Sequence, residues 1–154
     1  MKTANQMEEM FQSLYGASEQ QSMSYFGQPD IRFQHLNAYK KNGLWLVLMY
    51  SALEQNEERE NVVGAVFFSE RLELLWSKNV NLVSETVFDR MGKQKLGELV
   101  SGLGLPHGHG GSGISFLIYL TDEGKFLMIY YSGEEIKKVE KASLNEIFAA
   151  EFAK

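Results

Sequence analysis

Two of the three histidines, His107 and His109, sit in a run of glycines, Gly104-Leu-Pro-His-Gly-His-Gly-Gly-Ser-Gly. Imidazoles two positions apart could supply two metal ligands. A metal site usually needs three or four, yet the third histidine, His35, is far off in sequence and cysteine is absent. A phosphate-cradling loop needs a strand before it and a helix after it, so that helix N–H groups face the anion. Here a helical pattern precedes and a strand pattern follows, and there is no Gly-Lys-Ser/Thr. A Ser/His/Asp site would require His107 or His109 to meet an acid such as Asp122. A glycine loop is a poor place to hold that geometry. Gly111-Ser112-Gly113 resembles the Gly-x-Ser-x-Gly nucleophile elbow only superficially. The run therefore reads as a tight glycine loop that opens a strand. The chain reads as non-enzymatic, without cofactor or metal; a small metal or hydrolase site at His107/His109 is the lesser alternative.

The elements around this run follow from local signals. Leu103-Gly104 ends a helical pattern, and Pro106 prevents its return. His107 to Gly113 is too glycine-rich for a helix or an ordinary strand. Ile114 to Thr121 is β-branched and aromatic and of strand length. Asp122-Glu123-Gly124 supplies a turn, Lys125 to Ser132 a second strand, and Ile136 to Lys141 a third.

The order of these pieces resembles the repeat of β-lactamase-inhibitory-protein-like domains, and the related SmpA/OmlA-type modules are similar. The resemblance covers Val87 to Lys141. It consists of a helix, Gly-x-Pro-His, a short glycine-rich link, Gly-Ser-Gly, an aromatic strand with Tyr119, Asp-x-Gly and a second apolar strand. It implies tandem helix–helix–antiparallel-sheet repeats and a non-enzymatic, mostly extracytoplasmic protein that binds other proteins. The chain departs from the pattern where an acidic residue often follows the histidine, since His109 and Gly110 stand there, and it shows no export signal.

Upstream, Gln6 to Tyr15 has apolar residues at 7, 10, 11 and 14, a helical spacing closed by Gly16. Ala17 to Phe26 reads as a second helix, with Ser18 and Gln21 forming a capping box and Met23 and Phe26 buried. Gly27-Gln28-Pro29-Asp30 stops it. Ile31 to Lys40 alternates as one strand, with Ile31, Phe33, His35, Asn37 and Tyr39 on one face. Lys41-Asn42-Gly43 is a hairpin signal, and Leu44 to Ser51 is apolar on both faces. Glu54 to Glu60 is a charged insertion, most simply a solvated loop. Asn61 to Ser69 and Leu72 to Ser77 are further strands, with Gly64 marking a bulge or close packing against a helix. Ser84 to Met91 and Lys93 to Leu103 are helical, the latter with a stripe at Leu96, Leu99, Val100 and Leu103. Ser143-Leu-Asn-Glu146 is a capping box that opens a last helix reaching about Ala153.

The halves can be laid over one another. Gly27-x-Pro29 matches Gly104-x-Pro106, and Phe67-Phe68-Ser69 matches Tyr130-Tyr131-Ser132. Shared order is the evidence for a repeat. The expected architecture is α+β: two tandem repeats, 1–80 and 81–154, with helices on one face of a shared sheet and a C-terminal helix.

A formal charge of −5 argues against nucleic acid as the main partner, because phosphate contact needs a basic face. No run approaches ~18 apolar residues, so no membrane span is expected. The start lacks an apolar leader, which suggests a cytoplasmic protein or a mature extracytoplasmic form with its leader removed. Phe, Tyr and Trp make up 12% of the chain, many on strands apolar on both faces. Helices can cover only one face, and a large apolar patch on the other would mark an interface. The expected contact residues are Trp45, Tyr50, Tyr119 and Tyr131, with Tyr39 and His35 on the preceding strand. The partner would be another protein or a second copy of the chain. An alternative is an immunity or regulatory protein that neutralises a basic toxin or enzyme through the acidic Glu54–Glu60 loop.

Overall fold

Ser18 fixes the start of the second helix. Its hydroxyl accepts from Gln21 N at 3.1 Å while Gln21 Oε1 accepts from Ser18 N at 2.9 Å. This reciprocal cap satisfies two amides that the first helical turn leaves without partners. In the computed structural model, which describes residues 4–33, 35–52, 59–84, 95–103, 108–112 and 114–152, α1 spans Ala4–Leu14 and α2 Glu19–Phe26. Gly16, at φ +82°, turns the chain between them. Gly16 N donates to Val62 O and Val62 N donates to Ala17 O, which ties the α1–α2 turn to the sheet. The chain divides into two compact units, Met1–Val80 and Asn81–Lys154.

In the first unit β1 (Ile31–Phe33), β2 (Leu36–Lys41), β3 (Leu44–Ala52), β4 (Arg59–Ser69) and β5 (Leu74–Lys78) pair in that order, all antiparallel. The single strand expected over Ile31–Lys40 is instead a hairpin. Phe33 pairs with Leu36 and Ile31 with Ala38, so Ile31 shares the face of Ala38 and not that of Asn37 and Tyr39. No glycine or proline advertises that turn; it shows only in the pairing of β1 with β2. Asn42 and Gly43, at φ +54° and +74°, make the left-handed two-residue turn that the Asn-Gly pair favours. Met7, Phe11 and Leu14 of α1 bury against Tyr39, Leu46, Leu48, Tyr50, Ala65 and Phe67. Gly64 sits beside a break in register, and a Cβ there would lie 2.7 Å from Asn79 O and from Val80 Cγ2. The bulge expected at Gly64 is thus present, and the close approach there is to the Asn79–Val80 segment and not to a helix. Of the charged insertion, residues 53–58 lie outside the described residues, while Arg59 and Glu60 belong to β4 and not to a loop.

In the second unit α3 (Leu96–Leu103) precedes β7 (Ile114–Leu120), β8 (Lys125–Ser132) and β9 (Glu135–Ser143), an antiparallel meander. Gly108–Ser112, expected to be a loop, adds as edge strand β6, with His109 opposite Leu117. Glycine is a poor strand former, but β7 presents a free edge to which its backbone can bond. Leu99 of α3 and Val83 pack on Tyr119, Leu127 and Ile129. The main-chain and side-chain oxygens of Glu134 accept from Leu96 N and Gly97 N, both at 3.0 Å, capping the start of α3. Ser143 and Glu146 form the capping box of α4 (Leu144–Phe152). The helix expected over Ser84–Met91 and the Gly104-x-Pro106 segment fall largely or wholly outside the described residues.

The expectation of one shared sheet is corrected. Among the described residues, the β1–β5 sheet and the β6–β9 sheet are separate hydrogen-bonded sheets. Each sheet is long enough in strands to satisfy its own central backbone groups, so neither requires the other's edge. The two units nevertheless share local detail. α2 and α3 have eight residues each and start 77 positions apart, the offset of the two Gly-x-Pro triplets. A register break falls at Phe67/Phe68 and again at Tyr130/Tyr131, 63 positions later.

Candidate binding surface

Beneath α2 lies a polar network that anchors the helix to the sheet. Arg32 donates through Nε and Nη2 to the two carboxylate oxygens of Glu19, at 3.1 and 3.0 Å. This pairing holds the guanidinium above its ordinary pKa. Asn37, fully buried, donates to Glu19 Oε2 at 2.9 Å. Ser22, also fully buried, gives its one hydroxyl proton to Glu19 O at 2.9 Å. The Tyr50 hydroxyl, 2.6 Å from Ser22 Oγ, must then be the donor in that contact. Ser22, and not the expected Met23, is thus the fully buried position of α2. Asn37 Oδ1 is buried and makes no hydrogen bond. Turning the amide over would set that oxygen against the Glu19 carboxylate, so the observed orientation is the favourable one.

With α2 fixed in this way, two tyrosines stand outward. Tyr15 is 58% exposed and Tyr25 68% exposed, the most open of the large apolar side chains among the described residues. Tyr15 rests edge-on against Phe11, with ring centroids 5.7 Å apart and planes at 68°. Tyr25 rests edge-on against Phe26, at 4.8 Å and 81°. Phe11 belongs to the core, and Phe26 in turn packs on Tyr39 at 5.2 Å. Both exposed rings are therefore braced from beneath, which lowers the conformational entropy a partner would have to remove. Between them runs a shallow groove of about 400 Å³ floored by Leu14, Gly16 and Ala17.

The residues expected on an uncovered sheet face lie elsewhere. Trp45, Tyr50, Tyr119 and Tyr39 are buried, at 0 to 2% exposure, and this corrects the expectation of an open ring-rich face. Tyr39, Tyr50 and Tyr119 lie on the helix-covered faces. Trp45 is on the opposite face, where Leu36, Ala38, Val47, Val66 and Phe68 are buried as well. The Lys40 ammonium lies 5.5 Å from the Trp45 ring centroid. Burial pushes the Tyr119 hydroxyl up to about 12 and raises that of Tyr39 as well. Tyr131 is half-buried opposite Ser115 and Ile136, and His35 is half-buried in the β1–β2 turn, where its carbonyl accepts from Tyr50 N. His107 lies outside the described residues, and His109 lies on β6.

Of the two exposed rings, Tyr25 carried a signal in the sequence. Tyr25 falls outside the apolar stripe of α2, at a position where a polar residue is the norm, whereas Tyr15 follows the end of α1 one turn after Phe11, where a ring is unremarkable. A bulky ring off the stripe marks exposed apolar area. No family model, curated protein or solved structure matches the chain.

Proposed function

We propose that the protein is a non-enzymatic, inhibitor-like or regulatory module that grips another protein through the α1–α2 surface. The observation that carries this reading is the braced, exposed pair Tyr15 and Tyr25 on either side of a groove. Tyrosine is enriched among residues that dominate binding energy, since it offers a wide apolar face and a polar tip. The resemblance to β-lactamase-inhibitory-protein-like repeats points to the same class. The formal charge of −5 favours a basic partner, whose approach would be steered and salt-sensitive. The helix pair and not the sheet face makes the contact, because the sealed rings of Trp45, Tyr50 and Tyr119 cannot meet a partner without unfolding.

The test is photo-crosslinking in cells that express the protein, with benzoylphenylalanine at position 25 and, as control, at the exposed Lys137 of β9. The reading expects one predominant adduct with a different, basic protein from position 25 alone. Tyr15→Ala should lower its yield about tenfold or more, as for a hot-spot residue, and added salt should weaken it. Equal adducts from both positions, or an adduct only with a second copy of the chain, would overturn it.

A further inference from the structure

We propose that a second site, the apolar pocket of the first unit, binds a free monoacyl carboxylate, with its hydrocarbon chain inside and its head group on Lys41. The pocket has a volume of about 410 Å³ and lies within the first unit. Its walls are Met10, Phe26, Leu44, Leu46 and Phe67, and its polar lining comes from Gln6, Lys41 and Asn42. Tyr39 contributes its ring, because its hydroxyl already donates to Gly27 O at 3.3 Å. Small-molecule sites are of this size and pattern, largely apolar with a few placed polar groups. An apolar cavity of about 150 Å³ takes one benzene, so this pocket has room for a chain of ten or so carbon atoms.

The charge at the mouth selects the head group. Lys41 is the one charged residue of the lining among the described residues. Its ammonium donates to Phe26 O at 2.7 Å, which pins it to the rim at the end of α2. An ammonium has three donors, so two remain for a ligand. Its neighbour Lys40 is engaged differently, lying 3.9 Å from Glu70 and donating its backbone N–H to Asp30. Among the described residues no carboxylate forms an ion pair with Lys41, and none lines the pocket. An anionic head is therefore attracted and a cationic one repelled, while a neutral head gains only the burial of its chain.

Isothermal titration calorimetry with decanoate, decanol and decylamine, each below its micellar concentration, tests the assignment. Decanoate should bind most tightly and decylamine least. From hexanoate to decanoate, each added methylene should tighten binding about fourfold. Lys41→Gln should weaken decanoate about tenfold and leave decanol unchanged, and Lys41→Arg should retain most of the decanoate affinity. Leu44→Trp, which fills the cavity, should abolish binding of all three while thermal melting still shows a folded protein. Three results would overturn the proposal: decylamine equal to decanoate, no binding of any probe by the folded wild type, or co-sedimentation with phosphatidylglycerol vesicles in place of binding to free decanoate. Because no tyrosine of the α1–α2 surface is changed, failure here leaves the protein-partner reading untouched.

Discussion

Replacing Asn37 with aspartate tests the anchor that presents the candidate surface. The amide nitrogen of Asn37 lies 2.9 Å from Glu19 Oε2 in a fully buried position, and the Glu19 side chain is only 17% exposed. Asn37→Asp would set a second carboxylate there with only Arg32 to divide between them. Two like charges about 4 Å apart repel by about 4 kcal/mol at an effective dielectric constant of 20. The folded protein escapes part of that cost by keeping one proton on the pair. If the new carboxyl is raised two to three units above its unfolded value of about 3.9, the loss at pH 8 is about 3–4 kcal/mol. The sign follows from the raised folded pKa. Stability is close to that of the wild type below the unfolded value and is lost as pH rises through the folded one. At pH 5 a shared proton forms an O–H···O bond in place of the lost N–H···O, and the deficit should shrink to about 1.5 kcal/mol, the part already lost above the unfolded value. Urea titrations of both proteins at pH 5 and pH 8, followed by tryptophan fluorescence, measure the difference. An equal deficit at the two pH values would refute the argument, because a simple packing defect has no reason to titrate.

Gly64→Ala should destabilise the first unit by about 1–3 kcal/mol, since the added Cβ meets backbone Asn79 O at 2.7 Å and something must shift; a urea midpoint equal to that of the wild type would show that the approach is not tight. Tyr119, pushed up to about 12 by burial, should stay protonated in the folded chain while the unfolded chain ionises near 10. Its contribution is complete below pH 10 and is lost as pH rises toward 12, by up to about 1.4 kcal/mol per pH unit. Denaturant titrations of the wild type and Tyr119→Phe across that range should therefore converge, and parallel curves would count against the burial argument.

The local code was legible wherever a bond spans three or four residues. Ser18 with Gln21 and Ser143 with Glu146 announce two helix starts, and both caps form. Asn42-Gly43 announces its hairpin through the positive φ it tolerates. The β1–β2 turn was not legible, because it lies in the pairing of Ile31–Phe33 with Leu36–Ala38 and no glycine or proline marks the bend. Strand β6 was not legible either, because a glycine run pairs only when a neighbouring edge is offered. Of the candidate surface, the position of Tyr25 off the stripe of α2 could be read, but the Glu19–Asn37–Tyr50–Ser22 network could not, since its members lie up to 31 positions apart.

The sequence alone determined that this is an α+β chain of short capped helices and antiparallel strands, because periodicity, capping and turn chemistry act over a few residues. Only the tertiary structure decided that the strands form two separate sheets and that Trp45, Tyr50 and Tyr119 lie buried. A strand apolar on both faces states that both faces want cover, but whether they receive it depends on what distant segments bring. Burial is a property of the whole folded chain, and that is why the rings read as a surface in one dimension proved to be core in three.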